Sequence, residues 1–125
     1  MRGVVNSFAV TAFLAAAGLI GPPSAAVAAG HDGNWSVLII TERGACDPAY
    51  RYAVTVADGH VRYAGTTDVN LGGTVAANGL VKVSIRRGDQ GANGTGRLFG
   101  QSGTGTWRGV GANGTCAGRW EAERR

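Results

Sequence analysis

Arg51-Tyr52-Ala53-Val54-Thr55-Val56-Ala57-Asp58-Gly59-His60-Val61-Arg62-Tyr63 carries the clearest structural signal in the chain. Tyr52, Val54 and Val56 alternate with Arg51, Ala53 and Thr55, and Val61 and Tyr63 flank Arg62. A period of two sends successive side chains to opposite faces of a strand, so each run reads as a half-buried β-strand. Asp58-Gly59 between them suits a two-residue hairpin turn, in which both central residues take positive φ. The stretch predicts a hairpin with valine and tyrosine on one face and arginine on the other.

The same alternation extends in both directions. Trp35, Val37 and Ile39 share a face upstream; Val81, Val83 and Ile85 alternate with Lys82, Ser84 and Arg86 downstream. Gly103, Gly105 and Trp107, then Cys116, Gly118, Trp120 and Ala122, continue it to the C-terminus. Asn78-Gly79 repeats the two-residue turn signal, while Gly88-Asp89-Gln90-Gly91, Gly100-Gln101-Ser102-Gly103 and Gly111-Ala112-Asn113-Gly114 read as longer connections. Eight strands are expected, near 34–42, 50–58, 60–65, 69–76, 80–87, 94–99, 103–109 and 115–123, joined as an antiparallel meander. Ala-Asn-Gly recurs at 77–79, 92–94 and 112–114 at uneven spacing, which reads as reused turn chemistry and not as a repeat array.

This register places Arg51, Arg62, Lys82, Arg86, Arg97, Arg108 and Arg119 outward. The large apolar residues share the other face with Gly73, Gly96, Gly105 and Gly118. A slip of one residue would exchange the faces, so the segregation supports the assignment. Inward glycines opposite Trp35, Trp107 and Trp120 suit a small closed barrel, where large and small side chains interlock. The expected fold is an all-β, eight-stranded, up-and-down antiparallel barrel.

Composition agrees. The chain has 125 residues, 22 of them glycine, 3 proline, 16% charged and 44% hydrophobic. That length supports a single domain. Glycine so frequent, without a triplet period or abundant proline, excludes collagen and disfavours long helices. The formal charge of +4 is modest for a dedicated nucleic-acid binder.

The first segment reads as an address. Arg2 supplies a positive start, an apolar run follows from Phe8 to Ile20, Gly21-Pro22-Pro23 breaks it, and Ala26-Val27-Ala28 offers small residues for a signal peptidase. The run is shorter than the roughly 20 residues a membrane-spanning helix needs. Residues 1–28 are therefore expected to be a signal peptide, cleaved before Ala29, or before Gly30 or His31. Residues 29–33 are read as a flexible N-terminus and 34–125 as the barrel. Removing residues 1–28 from 125 leaves 97, and the loss of Arg2 lowers the formal charge from +4 to +3. Export to the periplasm or the extracellular space follows, with no transmembrane segment after cleavage.

Export also places the two cysteines where disulfides persist. If the first and last strands pair to close the barrel, residues near 42 lie opposite residues near 115, and Cys46 falls beside Cys116. A disulfide between them is expected.

Chemical motifs are sparse. His31 lies near the expected mature N-terminus and His60 follows a turn; Asp47, Asp58, Asp68 and Asp89 sit at separate turns. Catalysis needs a nucleophile, a base and an orienting group in contact, and no such set is visible. Gly94-Thr95-Gly96 and Gly103-Thr104-Gly105 lack the lysine and following helix of a phosphate loop. Asn34-Trp35-Ser36, Asn93-Gly94-Thr95 and Asn113-Gly114-Thr115 match the N-glycosylation pattern, which has meaning only in a eukaryotic secretory pathway. The outward arginines, with Arg86-Arg87 and Arg124-Arg125, could attract an anionic polysaccharide, lipid headgroup or protein. Aromatics placed inside, and not among the cations, disfavour nucleic acid.

The segments Asp32-Gly33-Asn34-Trp35-Ser36-Val37, Thr41-Glu42-Arg43-Gly44-Ala45-Cys46-Asp47, Tyr50-Arg51-Tyr52, Val61-Arg62-Tyr63-Ala64-Gly65, Val83-Ser84-Ile85-Arg86-Arg87-Gly88-Asp89 and Cys116-Ala117-Gly118-Arg119-Trp120 together resemble a group of short exported proteins of rhizobium-like alphaproteobacteria. Some members carry labels of haem utilisation or adhesion. A haem role would imply an axial ligand among His31, His60, Tyr50, Tyr52 and Tyr63.

The functional expectation is a non-enzymatic exported barrel, without a cofactor, that binds a small ligand or an envelope protein or polysaccharide. The candidate contacts are Trp35, Trp107, Trp120, Tyr63, Arg51, Arg62 and Arg119, with the barrel mouth near Trp35 and Trp120. The alternatives are an inhibitor or adhesion-type scaffold acting through its loops, and a haem-associated protein.

Overall fold

A computed structural model describes residues 29–125, so the expected signal peptide at 1–28 lies outside the described residues. A 3-10 turn, Ala29–His31, leads into eight strands: β1 (Gly33–Arg43), β2 (Ala49–Ala57), β3 (His60–Tyr63), β4 (Asn70–Val75), β5 (Leu80–Arg87), β6 (Gln90–Phe99), β7 (Ser102–Gly111) and β8 (Gly114–Arg124). Each pairs antiparallel with the next, and β1 pairs with β8, closing the sheet into a barrel. The expected up-and-down barrel is the observed fold.

Register explains why closure works. Trp35 pairs with Val54, Val54 with Tyr63, and Val61 with Gly73. Gly73 then pairs with Val83, Val83 with Gly94, Gly94 with Trp107, Trp107 with Gly118, and Gly118 with Thr41 of β1. Directly paired residues point to the same face. The inward set therefore returns to β1 in phase, and no strand has to turn its apolar side to water. All seven predicted outward cations are exposed.

The glycines of this inward set make room for tryptophan. A Cβ at Gly96 or Gly105 would overlap the Trp120 indole. Two facing strands thus present bare backbone to one large ring, whose Nε1 donates to the Thr95 carbonyl at 3.1 Å.

The turns confirm one prediction and correct others. Asp58 (φ 53°) and Gly59 (φ 77°) both adopt positive φ, as the hairpin reading requires. In the loop Ala76–Gly79, by contrast, Gly79 alone is left-handed (φ 92°) and the Asn78 Oδ1 accepts a bond from the Leu80 N–H. Its Asn-Gly pair therefore makes a longer turn than expected. Gly88-Asp89, Gly100-Gln101 and Ala112-Asn113 are two-residue turns, since Arg87 pairs with Gln90, Phe99 with Ser102 and Gly111 with Gly114. As a result β6 starts at Gln90, not at residue 94, and the Ala92-Asn93-Gly94 copy lies inside a strand. Glycine-rich strands offer little side-chain patterning, and their ladders come from neighbours instead of local propensity.

Residues 29–33, read from sequence as flexible, are tied down. The His31 Nε2 lies 3.1 Å from the Ala77 carbonyl, and the Asp32 Oδ2 accepts from the Asp58 N–H at 3.2 Å. Arg124 donates to the carbonyls of Gly30 (2.8 Å), Gly100 (3.3 Å) and Asp32. Its guanidinium also sits 4.7 Å from the centre of the Trp35 ring. Arg124 is thus a half-buried clamp and not part of an exposed basic patch.

The predicted disulfide is present. Cys46 and Cys116 are bonded with their Cα atoms 6.1 Å apart, linking the β1–β2 loop to β8 across 70 residues.

Candidate functional site

The two ends of the barrel differ. At the end that carries the Asp58-Gly59 turn, the Ala76–Gly79 loop, the Ala29–His31 turn and the C-terminus, inward side chains fill the space. Trp35 is 1% exposed, and Val54, Val56, Val61, Val75, Val81, Leu98 and Ala122 are buried around it. The Trp35 Nε1 donates to the His31 carbonyl at 3.0 Å, so the N-terminal turn seals this floor.

Toward the other end the inward residues are Val37, Ile39, Tyr52, Leu71, Val83 and Ala92, all only partly buried. Above the floor lies a cavity of about 190 Å³, bounded by these residues and by Trp107 and Trp120, and below by Trp35 and the buried side chains packed around it. At its rim stand Cys46, Tyr50, Ile85, Arg87, Gln90 and Val110. The wall is overwhelmingly apolar because it is the inward face of alternating strands. The disulfide fixes the β1–β2 loop at the rim, where Cys46 itself forms part of the lining.

Three tyrosines make an aromatic cluster beside the opening. Ring centroids of Tyr50 and Tyr52 are 6.2 Å apart, and Tyr63 meets Tyr52 edge-on at 6.1 Å. Both spacings fall within the range of favourable aromatic pairs. Burial, joined by the neighbouring Tyr50 and Tyr63 phenols, pushes the Tyr52 phenol above its usual value, while the positive charge of Arg87 opposes the shift.

The sequence-predicted contact residues separate into two groups. Trp35, Trp107 and Trp120 all line the cavity. Trp35 forms its floor, however, so the mouth does not lie near it as expected. Trp107 is anchored through Nε1 to the Ile40 carbonyl at 3.1 Å. Tyr63 is at the open end but packs on Tyr52, with its hydroxyl bonded to Thr67.

The arginines are elsewhere. Arg51 is on the outer wall and donates to the buried Ser36 Oγ at 2.9 Å. Arg62 is exposed on β3, and Arg119 pairs with Glu42 at 2.9 Å and with Glu121 at 3.7 Å. The seven outward cations are distributed over six strands, two of them on β5, at positions opposite neutral residues, such as Arg97 against Thr104 and Lys82 against Thr95. They do not gather into one face.

His31 and His60 both belong to the closed end, away from the rim. Among the described residues no three His, Cys, Asp or Glu side chains converge as a metal site would require. Tyr50, Ile85, Arg87, Gln90 and Val110 are rim residues outside the candidate contacts read from the sequence, where Tyr50 entered only as a possible haem ligand and Arg87 only with the basic surface. Arg87 continues the inward period of Val81, Val83 and Ile85, which was the available signal.

Comparison with models of protein families, with curated proteins and with solved structures finds no match.

Proposed function

We propose that this protein is a non-enzymatic binding module whose barrel interior holds one small, largely apolar ligand, admitted at the end bounded by Tyr50, Tyr52 and Arg87. The carrying observation is the cavity of about 190 Å³, sealed below by Trp35 and open above. An eight-stranded barrel has an interior just wide enough either for side-chain filling or for one small ligand. Here the lower part follows the first solution and the upper part the second.

Size narrows the ligand. An apolar cavity of about 150 Å³ stays dry and accepts benzene, whereas drug-sized ligands need roughly 300 Å³ or more. The site suits one ring or a short chain, which favours such a ligand over haem. The described lining is apolar apart from Arg87, Gln90, Asn93 and the tyrosine hydroxyls, which suits binding of an apolar group. The disulfide supports residence in an oxidising compartment. No described helix is long and apolar enough to cross a membrane.

The test is titration of the protein with toluene and indole, followed by thermal shift and isothermal calorimetry. Saturable one-to-one binding is expected, and Val83→Phe, which fills the cavity, should abolish it while the variant still unfolds cooperatively. Absence of binding by both probes up to their solubility limits would overturn the proposal.

A further inference from the structure

Among the described residues Arg87 is the one charged side chain in the cavity lining, and it stands at the rim. It ends the inward row of β5, directly opposite Gln90, which also lines the rim. The ion pairs among the described residues are Arg119 with Glu42 and with Glu121, and Arg125 with Glu123; Arg87 joins none of them. Asp89 follows two residues later in the turn but forms no ion pair with it. Arg87 therefore presents a guanidinium whose carboxylate partner is not supplied by the described residues, at the edge of an otherwise apolar chamber.

From this juxtaposition we infer that the ligand is a small amphipathic carboxylate, with its ring or chain in the barrel and its anionic end held at the rim by Arg87. This rests on the binding-module reading of the cavity. A guanidinium is suited to a carboxylate because its planar donors can engage both oxygens at once. Gln90 and Tyr50 are further rim groups that can donate to the same anion. The positive charge also reaches the Tyr52 phenol, where it favours the ionised form against the effect of burial. The same field acts on a carboxylate arriving at that position. The cation is exposed, so an anion binding there keeps part of its hydration and little is lost to desolvation.

The test compares matched acids and alcohols by calorimetry on the full barrel with its disulfide intact: phenylacetate against phenylethanol, and octanoate against octanol. At low salt each acid should bind roughly tenfold more tightly than its alcohol, the scale of a hydrogen bond to a charged group at an exposed site. Arg87→Gln should erase that preference and leave alcohol affinity unchanged. Arg86→Gln removes the same charge from the adjacent outward position and should retain the preference. Equal affinity for acid and alcohol in the unaltered protein, or a preference that survives Arg87→Gln, overturns the inference while the alcohols still report a working cavity. If neither acids nor alcohols bind, the binding-module reading fails and takes the inference with it.

Discussion

Tyr52 shows how a single side chain ties the wall to the opening. Its ring lies between Tyr50 and Tyr63, and burial raises its pKa above the ordinary value of 10.0. The unfolded chain gives up that proton more readily than the folded one. The stabilising contribution is therefore complete below about pH 10 and is lost as pH rises through the higher folded value. Ultraviolet titration should show a tyrosine component ionising above the ordinary phenol range. Tyr52→Phe should remove that component and lessen the alkaline loss of stability, measured by urea unfolding across the same pH range. An unchanged pH dependence in the variant would contradict the assignment.

Residue-scale reading from sequence succeeded where period two was decisive and stopped where geometry was needed. The inward positions of Val54, Val81 and Trp120 follow from alternation alone. Alternation does not indicate height along the barrel, however, and so the mouth was expected near Trp35, while Tyr52 was not among the expected contacts. One is the sealed floor and the other borders the mouth. The predicted arginine contacts had the same weakness: Arg51 and Arg119 engage Ser36 and Glu42 of the scaffold, whereas Arg87 faces the opening.

At the scale of elements, the closed end depends on a junction among parts remote in sequence. Arg124 of β8 holds the carbonyls of Gly30, Asp32 and Gly100 and covers the Trp35 ring. Arg124→Ala should remove all of these together. The expected loss is about 2–3 kcal/mol, since hydrogen bonds to a charged group and a cation–π contact act in concert. Denaturant unfolding measures the loss, and hydrogen exchange should show the amides around Trp35 opening more readily. A loss near zero would mean that the N-terminal turn is sealed by other contacts. No residue pattern announces this cap, because its acceptors are backbone carbonyls that any residue could provide. The β6 boundary was obscured for a related reason. Gly91, Gly94 and Gly96 have no side chains to reveal a period, yet their backbone pairs fully with β5 and β7.

For the whole molecule the disulfide matters twice. It closes a loop of 70 residues, which in the chain-entropy model stabilises the fold by about 4 kcal/mol. It also fixes the β1–β2 loop where Cys46 lines the cavity. The double variant Cys46→Ser with Cys116→Ser should lose stability of that order in equilibrium unfolding. It should also bind phenylethanol more weakly than the oxidised protein under conditions where both remain folded. Retained affinity would show that the rim is held by the barrel ladders alone.

The amino-acid order by itself determined the number of strands, their antiparallel succession, the face taken by the side chains of the alternating runs and the partner of each cysteine. These are consequences of local periodicity, turn chemistry and the requirement that the last strand meet the first. Only the tertiary structure decided that one end is packed and the other hollow, and that Arg87 stands over the hollow. Free volume is the difference between the space a closed barrel encloses and the side chains sent into it. That difference depends on the stagger of all eight strands together, so no segment of the chain records it alone.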